Sequence, residues 1–379
     1  MNIYYWSPFI TPVATVKAVI NSADSLNKYS KNEYSSCIIN VAGEWNIYKN
    51  ELRKKNIKFI DLTSYKIIDN KRLSGFFKSR FAYILLFIIA FFPLLRLLKS
   101  NPPSYFIVHL ISPLPLIINY FFNINTKMIL RISGLPKLNL IRTLLWKVTL
   151  KKIHFITCPT IATKKDIESK NIISNSKVNI LYDPIISPKN IRRNLAKKNL
   201  SYKNYYLAIG RLTRQKNFIF LIDTFASYNK NKNYKLIIVG EGEQKKLIED
   251  YIKINDLQNS IIIHNFTNNI FNYYKNSKCF VLSSLWEDPG FVLVEACYMN
   301  TPIISSNCKN GPEEILNFGK NGLLFDNNNK KSLLEALKRF ENLTEKELKQ
   351  FKINAKRKSK KFTMFNHYKL LIHILKIYE

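Results

Sequence analysis

The sequence predicts an α/β protein made of two doubly wound parallel-sheet domains. Short, continuously apolar runs alternate with helical stretches, as expected for strands buried on both faces. The alternation runs its course and then starts again, which argues for two domains rather than one. With 379 residues, 46% hydrophobic and 13% aromatic, the chain can bury a core in each.

The first series reads "NIYYW" (2–6), "SSCIINVAG" (35–43), "IKFIDL" (57–62), "YFIVHL" (105–110), "KMILRI" (127–132) and "IHFITC" (153–158) as strands. Candidate helices between them cover 13–28, 72–99, 113–123 and 160–170. The second series is "YYLAIG" (205–210), "YKLIIVG" (234–240), "SIIIHNF" (260–266), "KCFVLSS" (278–284) and "TPIISS" (301–306). The expected seam is 182–204, which has two prolines, many charges and no apolar periodicity. Residues 362–379 regain helical spacing in "YKLLIHILKIY" and read as a docked terminal helix. "NNNKK" and "KRKSKK" read as solvated surface, and no repeat of solenoid length occurs. The expected division is therefore 1–185, 186–361 and 362–379.

The formal net charge of +33 points to a polyanionic partner, whether nucleic acid, an anionic membrane or phosphate-bearing substrates. Its distribution separates these classes. From Asn70 to Lys165 there is no Asp or Glu, yet that stretch holds fifteen Lys or Arg and the most apolar segments of the chain. A surface both basic and apolar suits an anionic lipid surface better than duplex DNA. Within it, "FAYILLFIIAFFPLLRLL" (81–98) contains Pro93 and Arg96 and falls short of the roughly 20 apolar residues of a spanning helix. An interfacial helix, a core helix and a membrane span are the three readings. A basic nucleic-acid-binding protein is the non-enzyme alternative, motivated by the charge and by "AKRKSKKF", but the cations lack aromatic interleaving and no nucleic-acid partner is expected. Five scattered cysteines without a CxxC spacing suit a reducing compartment. "MNIYYWSPFITPVAT" lacks the pattern of a signal peptide, so a cytoplasmic location is expected.

Ligands of open α/β sheets bind outside the carboxyl ends of the strands. After "YYLAIG", Gly210 leads into "RLTRQKNF", where Arg211 and Lys216 can converge on a diphosphate at a helix N-terminus; a solvated loop is the plain alternative. After "YKLIIVG", "EGEQKKL" places Gly242 in a Gly-x-Gly turn, either near a nucleotide or simply a tight turn. After "KCFVLSS" comes "LWEDPGFVLVEAC", with Asp288 as candidate N-cap and Pro289 at the first helical position. Glu287 then lies on the loop and Glu295 about two turns into an apolar helix, where a buried carboxylate needs partners. A ribose offers two adjacent hydroxyls to Glu295. The amides of Gly290 and Phe291 would point at a neighbouring phosphate, and Glu287 would reach toward what that phosphate carries.

"GRLTRQK", "EDPGFVLVEA" and "CKNGPEEILNFGKNGLLF" (308–325) resemble, in order, motifs of the C-terminal half of the retaining glycosyltransferases of family four. The resemblance covers about Tyr205 to Phe325. In the first half, "FIVHLIS" puts His109 where the family often has a histidine, and "RISGLPKL" is similar to a cleft-lining segment. Departures are the glycine-free first loop "WSPFITPVATVKA" and Ile111 at the second position of the usual His-x-His pair.

The resemblance implies the GT-B fold, with two domains facing each other across a cleft and a C-terminal helix docking back. It implies transfer of a sugar from a UDP- or GDP-linked donor to a hydroxyl, with retention and no protein nucleophile. Arg211 and Lys216 would steady the departing diphosphate, Glu287 the donor sugar, Glu295 the ribose, and His109 the transferred sugar. No cofactor is implied beyond the nucleoside diphosphate sugar as donor substrate, and the absence of Asp-x-Asp suits a reaction without metal. The acceptor would be a saccharide or lipid-linked saccharide in cell-surface polysaccharide or lipopolysaccharide synthesis, met at the cytoplasmic face of the membrane. A sugar-nucleotide epimerase or phosphorylase of the same architecture is the enzyme alternative, and a catalytically silent membrane scaffold is another.

Overall fold

A computed structural model describes residues 1–10, 14–65, 76–136, 138–196, 202, 204–267 and 269–378. The backbone divides into two compact units, Met1–Pro184 with Met364–Glu379, and Ile185–Thr363.

The first unit holds seven strands: β1 (Asn2–Trp6), β2 (Ser35–Asn40), β3 (Lys58–Asp61), β4 (Tyr105–Val108), β5 (Lys127–Arg131), β6 (Phe155–Cys158) and β7 (Val178–Ile180). They pair in parallel in the order β3-β2-β1-β4-β5-β6-β7. The winding reverses between β1 and β4, a topological switch point. Both faces are covered, and the two-residue period of a strand explains why the runs are continuously apolar. Ile3 and Tyr5 of β1 join the core under the helices Ala14–Tyr29 and Met364–Ile377, whereas Tyr4 and Trp6 join the core on the opposite face. On that opposite face lie the helices Phe76–Ser100, Pro113–Phe121 and Leu140–Thr149.

The second unit holds β8 (Tyr205–Ile209), β9 (Leu236–Val239), β10 (Ile261–His264), β11 (Ser277–Leu282), β12 (Ile303–Ser306) and β13 (Leu323–Phe325). Their order β10-β9-β8-β11-β12-β13 is again all parallel, with the switch point between β8 and β11.

Four particulars add to the expectations. The seam at 182–204 contains a helix, Pro188–Leu195, begun by Pro at its first turn and anchored by buried Ile191 and by Asn272 donating to the Asn194 carbonyl. It belongs to the second unit. The terminal helix belongs to the first unit, where it packs along Ala14–Tyr29. "KRKSKK" is only partly solvated: Lys356 donates to the Tyr298 carbonyl and Ser359 is buried.

The segment 81–98 is neither a wholly buried helix nor a free one. Ala82, Leu86, Ala90, Leu94 and Leu98, four residues apart, form its buried stripe. Ile84, Ile88 and Phe92 on the other side are 61%, 63% and 75% exposed. Residues 72–75 of the expected helix lie outside the described residues, and the described helix begins at Phe76.

Candidate active site

The loops after β8 and β11, the two strands at the second switch point, carry the functional residues and meet through charge. Lys216 ends a single 3-10 turn, Arg214–Lys216, and Asn217 with φ 54° swings the chain into the helix Phe218–Tyr228. Gly210 lets the lysine lie flat, because a Cβ there would come within 3.0 Å of Lys216 Cε. The Lys216 ammonium donates to Glu287 Oε1 at 2.5 Å, and the Ser284 hydroxyl donates to the same oxygen. Both charged side chains are largely buried, at 11% and 4% exposure. In so dry a setting an unpaired charge is costly, and the pair offsets that cost. Ser283 completes the seat by donating to the Lys216 carbonyl, and Gln215 Nε2 donates to the Trp286 carbonyl.

The loop after β12 holds the Glu287 loop in place. Glu287 N donates to the Lys309 carbonyl, Ser306 Oγ to the Ser284 carbonyl, and Asn310 Nδ2 to Asp288 Oδ1. A Cβ on Gly311, whose φ is +129°, would sit 1.9 Å from the Pro289 carbonyl oxygen, so only glycine permits this backbone contact.

Asp288 is therefore not the N-cap expected from sequence. Its carboxylate is engaged by Asn310, and Gly290 at φ +101° caps the helix Phe291–Tyr298. The first amides of that helix have no intrahelical acceptor and face the end where β11 finishes. The later start leaves Glu295 one turn into the helix rather than two. Glu295 is buried, and Tyr274 Oη lies 3.4 Å from its Oε2 while also donating to the Val292 carbonyl at 3.0 Å. Burial and the Glu295 charge hold the Tyr274 hydroxyl well above its usual range. Glu295 thus has a protein partner that sequence reasoning did not supply.

The other expected residues take different places. Arg211 is exposed, and among the described residues no carboxylate pairs with it, so it does not share the enclosure of Lys216. At Gly242 backbone comes close: a Cβ there would meet the Leu212 carbonyl oxygen at 2.3 Å, to which Gln244 N donates. Among the described residues no group of three or more His, Cys, Asp and Glu could hold a metal ion. Ser284 and Tyr274 were missed, although Ser284 stood in the quoted strand; a serine three residues before Glu287 was the available signal. Cys308 is buried, with Ser306, Glu287 and Lys216 among the groups acting on its thiol, and burial pushes that thiol up to about 12.

His109 follows β4 at the first unit's switch point, its amide donating to the Trp6 carbonyl. The residue keeps some exposure, but Nδ1 is sealed and has no hydrogen-bond partner. Burial first, then the charges of Arg131 and His367, hold its pKa well below the usual histidine range, so the ring is neutral. It shares a cavity with a buried network. Arg131 donates to the Leu181 carbonyl and to Asp183, each at 2.6 Å, and His367 donates from Nδ1 to the Tyr182 carbonyl. Its Nε2 then accepts from Ser22, which accepts from Tyr5.

Each unit is thus a doubly wound parallel sheet with one switch point, and the second carries a buried Lys–Glu pair at its switch point. Residues 190–358, most of the second unit, match the family model for glycosyl transferases group 1. An uncharacterized glycosyltransferase of Methanocaldococcus jannaschii is 34% identical over 248 residues, 59% of this chain and 61% of that relative. The N-acetylgalactosamine-N,N'-diacetylbacillosaminyl-diphospho-undecaprenol 4-alpha-N-acetylgalactosaminyltransferase of Campylobacter jejuni is 29% identical over 199 residues, 52% of this chain and 53% of the relative. The chain thus spans about three fifths or less of the length of these curated relatives. Among solved structures, Anabaena HepE in complex with UDP superposes with a TM-score of 0.74 and 16% identity, covering 100% of both chains. That likeness concerns the fold, which is GT-B.

Proposed function

We propose that the chain is a retaining glycosyltransferase that moves a sugar from a nucleoside diphosphate donor to a hydroxyl of a lipid-linked saccharide, in the synthesis of a cell-surface polysaccharide or lipopolysaccharide. The observation that carries this reading is the buried Lys216–Glu287 pair at the second switch point, one loop before the Gly290-capped helix. A donor diphosphate competes with Glu287 for the Lys216 ammonium. Once it does, Glu287 is freed toward the hydroxyls of the sugar, and Ser284 keeps its carboxylate oriented. Lys216 and the first helix amides lie where charge develops on the departing diphosphate, and Arg211 adds a second cation at the mouth of the loop. Glu295 accepts the ribose hydroxyls, with Tyr274 holding the carboxylate in the absence of donor.

The stereochemistry follows the family resemblance: the leaving phosphate takes the acceptor proton on the face it departs from, and no protein nucleophile or metal is assigned. His109, neutral and at the ligand-bearing end of β4, contacts the transferred sugar as a hydrogen-bonding group rather than as a cation. The diphospho-undecaprenol in the Campylobacter relative's name and the UDP in the HepE crystals support the substrate classes. The first unit takes the acceptor and docks on the cytoplasmic face of the membrane through the exposed stripe Ile84, Ile88 and Phe92.

The test is a panel of nucleoside diphosphate sugars against thermal unfolding, followed by transfer assays on Lys216→Ala and Glu287→Ala. A donor at about 100 times its Kd stabilises by about 2.7 kcal/mol. No protection by any UDP- or GDP-sugar, or near-normal turnover in either variant, refutes the assignment.

A further inference from the structure

The exposed apolar surface of the first unit extends beyond the helix Phe76–Ser100. The helix Leu140–Thr149 buries Trp146 and Thr149 but leaves Leu140, Ile141 and Leu144 exposed at 90%, 79% and 66%. Asn139 caps it through its side chain to the Arg142 amide, so these residues form an ordered first turn rather than a frayed end. Three large aliphatic side chains in one such turn are costly to leave in water.

Topology places that turn. The helix follows β5 directly, so its first turn stands at the carboxyl end of the sheet, the edge where ligands of this architecture bind. The helix Phe76–Ser100 ends just before β4 begins, so it runs the opposite way to the strands, with its early residues toward the same edge. At about 1.5 Å per residue it is roughly 37 Å long and outruns the strands it covers. Both helices pack on one face of the sheet, through Leu86, Leu94 and Trp146 in a shared core. Cations adjoin the apolar residues in both. Along the chain Ile84, Ile88 and Phe92 lie between Lys78 and Arg80 on one side and Arg96 and Lys99 on the other, and Leu140, Ile141 and Leu144, with Arg142 among them, are followed by Lys147, Lys151 and Lys152.

We propose that Leu140, Ile141 and Leu144 form a second membrane anchor, which enters an anionic leaflet together with the stripe on Phe76–Ser100 and brings the acceptor-binding edge of the first sheet to the lipid surface. The proposal rests on the membrane-docking reading given above. Charge complementarity selects the occupant: residues 70–165 hold fifteen Lys or Arg and no acidic residue, so the cations that adjoin the apolar turns meet anionic headgroups while the apolar turns sit deeper. Two anchors fix the roll of the domain on the surface as well as its attachment, which one helix alone leaves free.

The experiment is co-sedimentation of the full chain with vesicles of phosphatidylcholine containing phosphatidylglycerol, comparing wild type, Leu140→Gln/Ile141→Gln and Ile84→Gln/Ile88→Gln, with unfolding temperature and nucleoside diphosphate sugar binding measured alongside. Each pair weakens partition by about tenfold or more at unchanged unfolding temperature and donor binding. Wild-type partition unchanged by Leu140→Gln/Ile141→Gln overturns the second anchor and leaves the docking stripe standing. No vesicle binding by wild type overturns both, and donor binding still reports on the transferase assignment. A wild-type dimer that Leu140→Gln/Ile141→Gln converts to monomer, without vesicle binding, assigns the patch to a second copy of the chain and overturns the proposal.

Discussion

The two sheets are wound alike, and each buries a charge pair, but the pairs do different work. In the first unit Arg131 is bonded to the Leu181 carbonyl as well as to Asp183, and both line a cavity with the terminal helix's His367. In the second, Lys216 and Glu287 join two loops at the carboxyl ends of β8 and β11, and the Ser284 hydroxyl donates to the Glu287 carboxylate. In one pair the arginine is also held by a backbone carbonyl, that of Leu181. The other joins two loop side chains, which in the proposed function a donor diphosphate separates. A buried charge pair thus serves cohesion in one half and, in the proposed function, exchange of partners in the other.

Lys216→Ala and Glu287→Ala break the second pair and have the largest expected effect, a loss of transfer of at least about a hundredfold to a thousandfold in a donor–acceptor assay. Each single change also strands a buried charge and costs about 3 kcal/mol of stability. The double variant Lys216→Met/Glu287→Leu recovers most of that stability but none of the activity. Arg131→Ala, breaking the first pair, lowers stability by about 3–5 kcal/mol in denaturant unfolding, while donor affinity measured by calorimetry is unchanged.

Glu295→Gln comes next: it weakens nucleotide binding by about tenfold with a smaller effect on turnover, read as KM against kcat. The histidine network supplies a pH signature. His367, held down to about 3 by burial, refuses in the folded chain a proton that the unfolded chain takes up near 6.5. Stability therefore falls as pH drops through that window, and His109 acts in the same direction. Glu44, raised to about 7 by burial, acts oppositely as pH rises from 4.5. The clean measurement is the difference in unfolding temperature between wild type and His367→Asn from pH 8 to pH 5, expected to shrink on acidification. Arg211→Ala has the smallest effect of the set, a few-fold rise in KM for the donor without loss of stability, since the side chain is exposed.

Much of the fold was legible because burial on both faces writes itself into a parallel strand as an unbroken apolar run, as in "YYLAI" and "FVL". The short strands Val178–Ile180 and Leu323–Phe325 carried too few residues for that signal, the first of them unrecognised and the second seen only through resemblance. The chemistry-bearing residue types at the site were legible, but their pairing was not. Lys216 and Glu287 are 71 positions apart, and nothing local says that one neutralises the other. Tyr274 was hidden for the same reason. The cap was misread because Asp288 has the right chemistry for an N-cap, while a neighbouring loop, through Asn310, claims its side chain.

The second unit begins and ends at paired backbone, with Ile186 N donating to the Phe362 carbonyl, and the helix Met364–Ile377 then completes the first unit. On the ribosome this imposes an order. The second unit is contiguous and can close as soon as it emerges, whereas the first, although made earlier, waits through its synthesis at roughly 5–20 residues per second for the helix that covers Val16, Val19 and Ile20. During that interval the nascent chain carries an apolar face without its lid, on the side of the sheet opposite the exposed apolar turns that face a bilayer in the proposal above. A cell making this protein therefore has reason to handle its first half before its last residues exist.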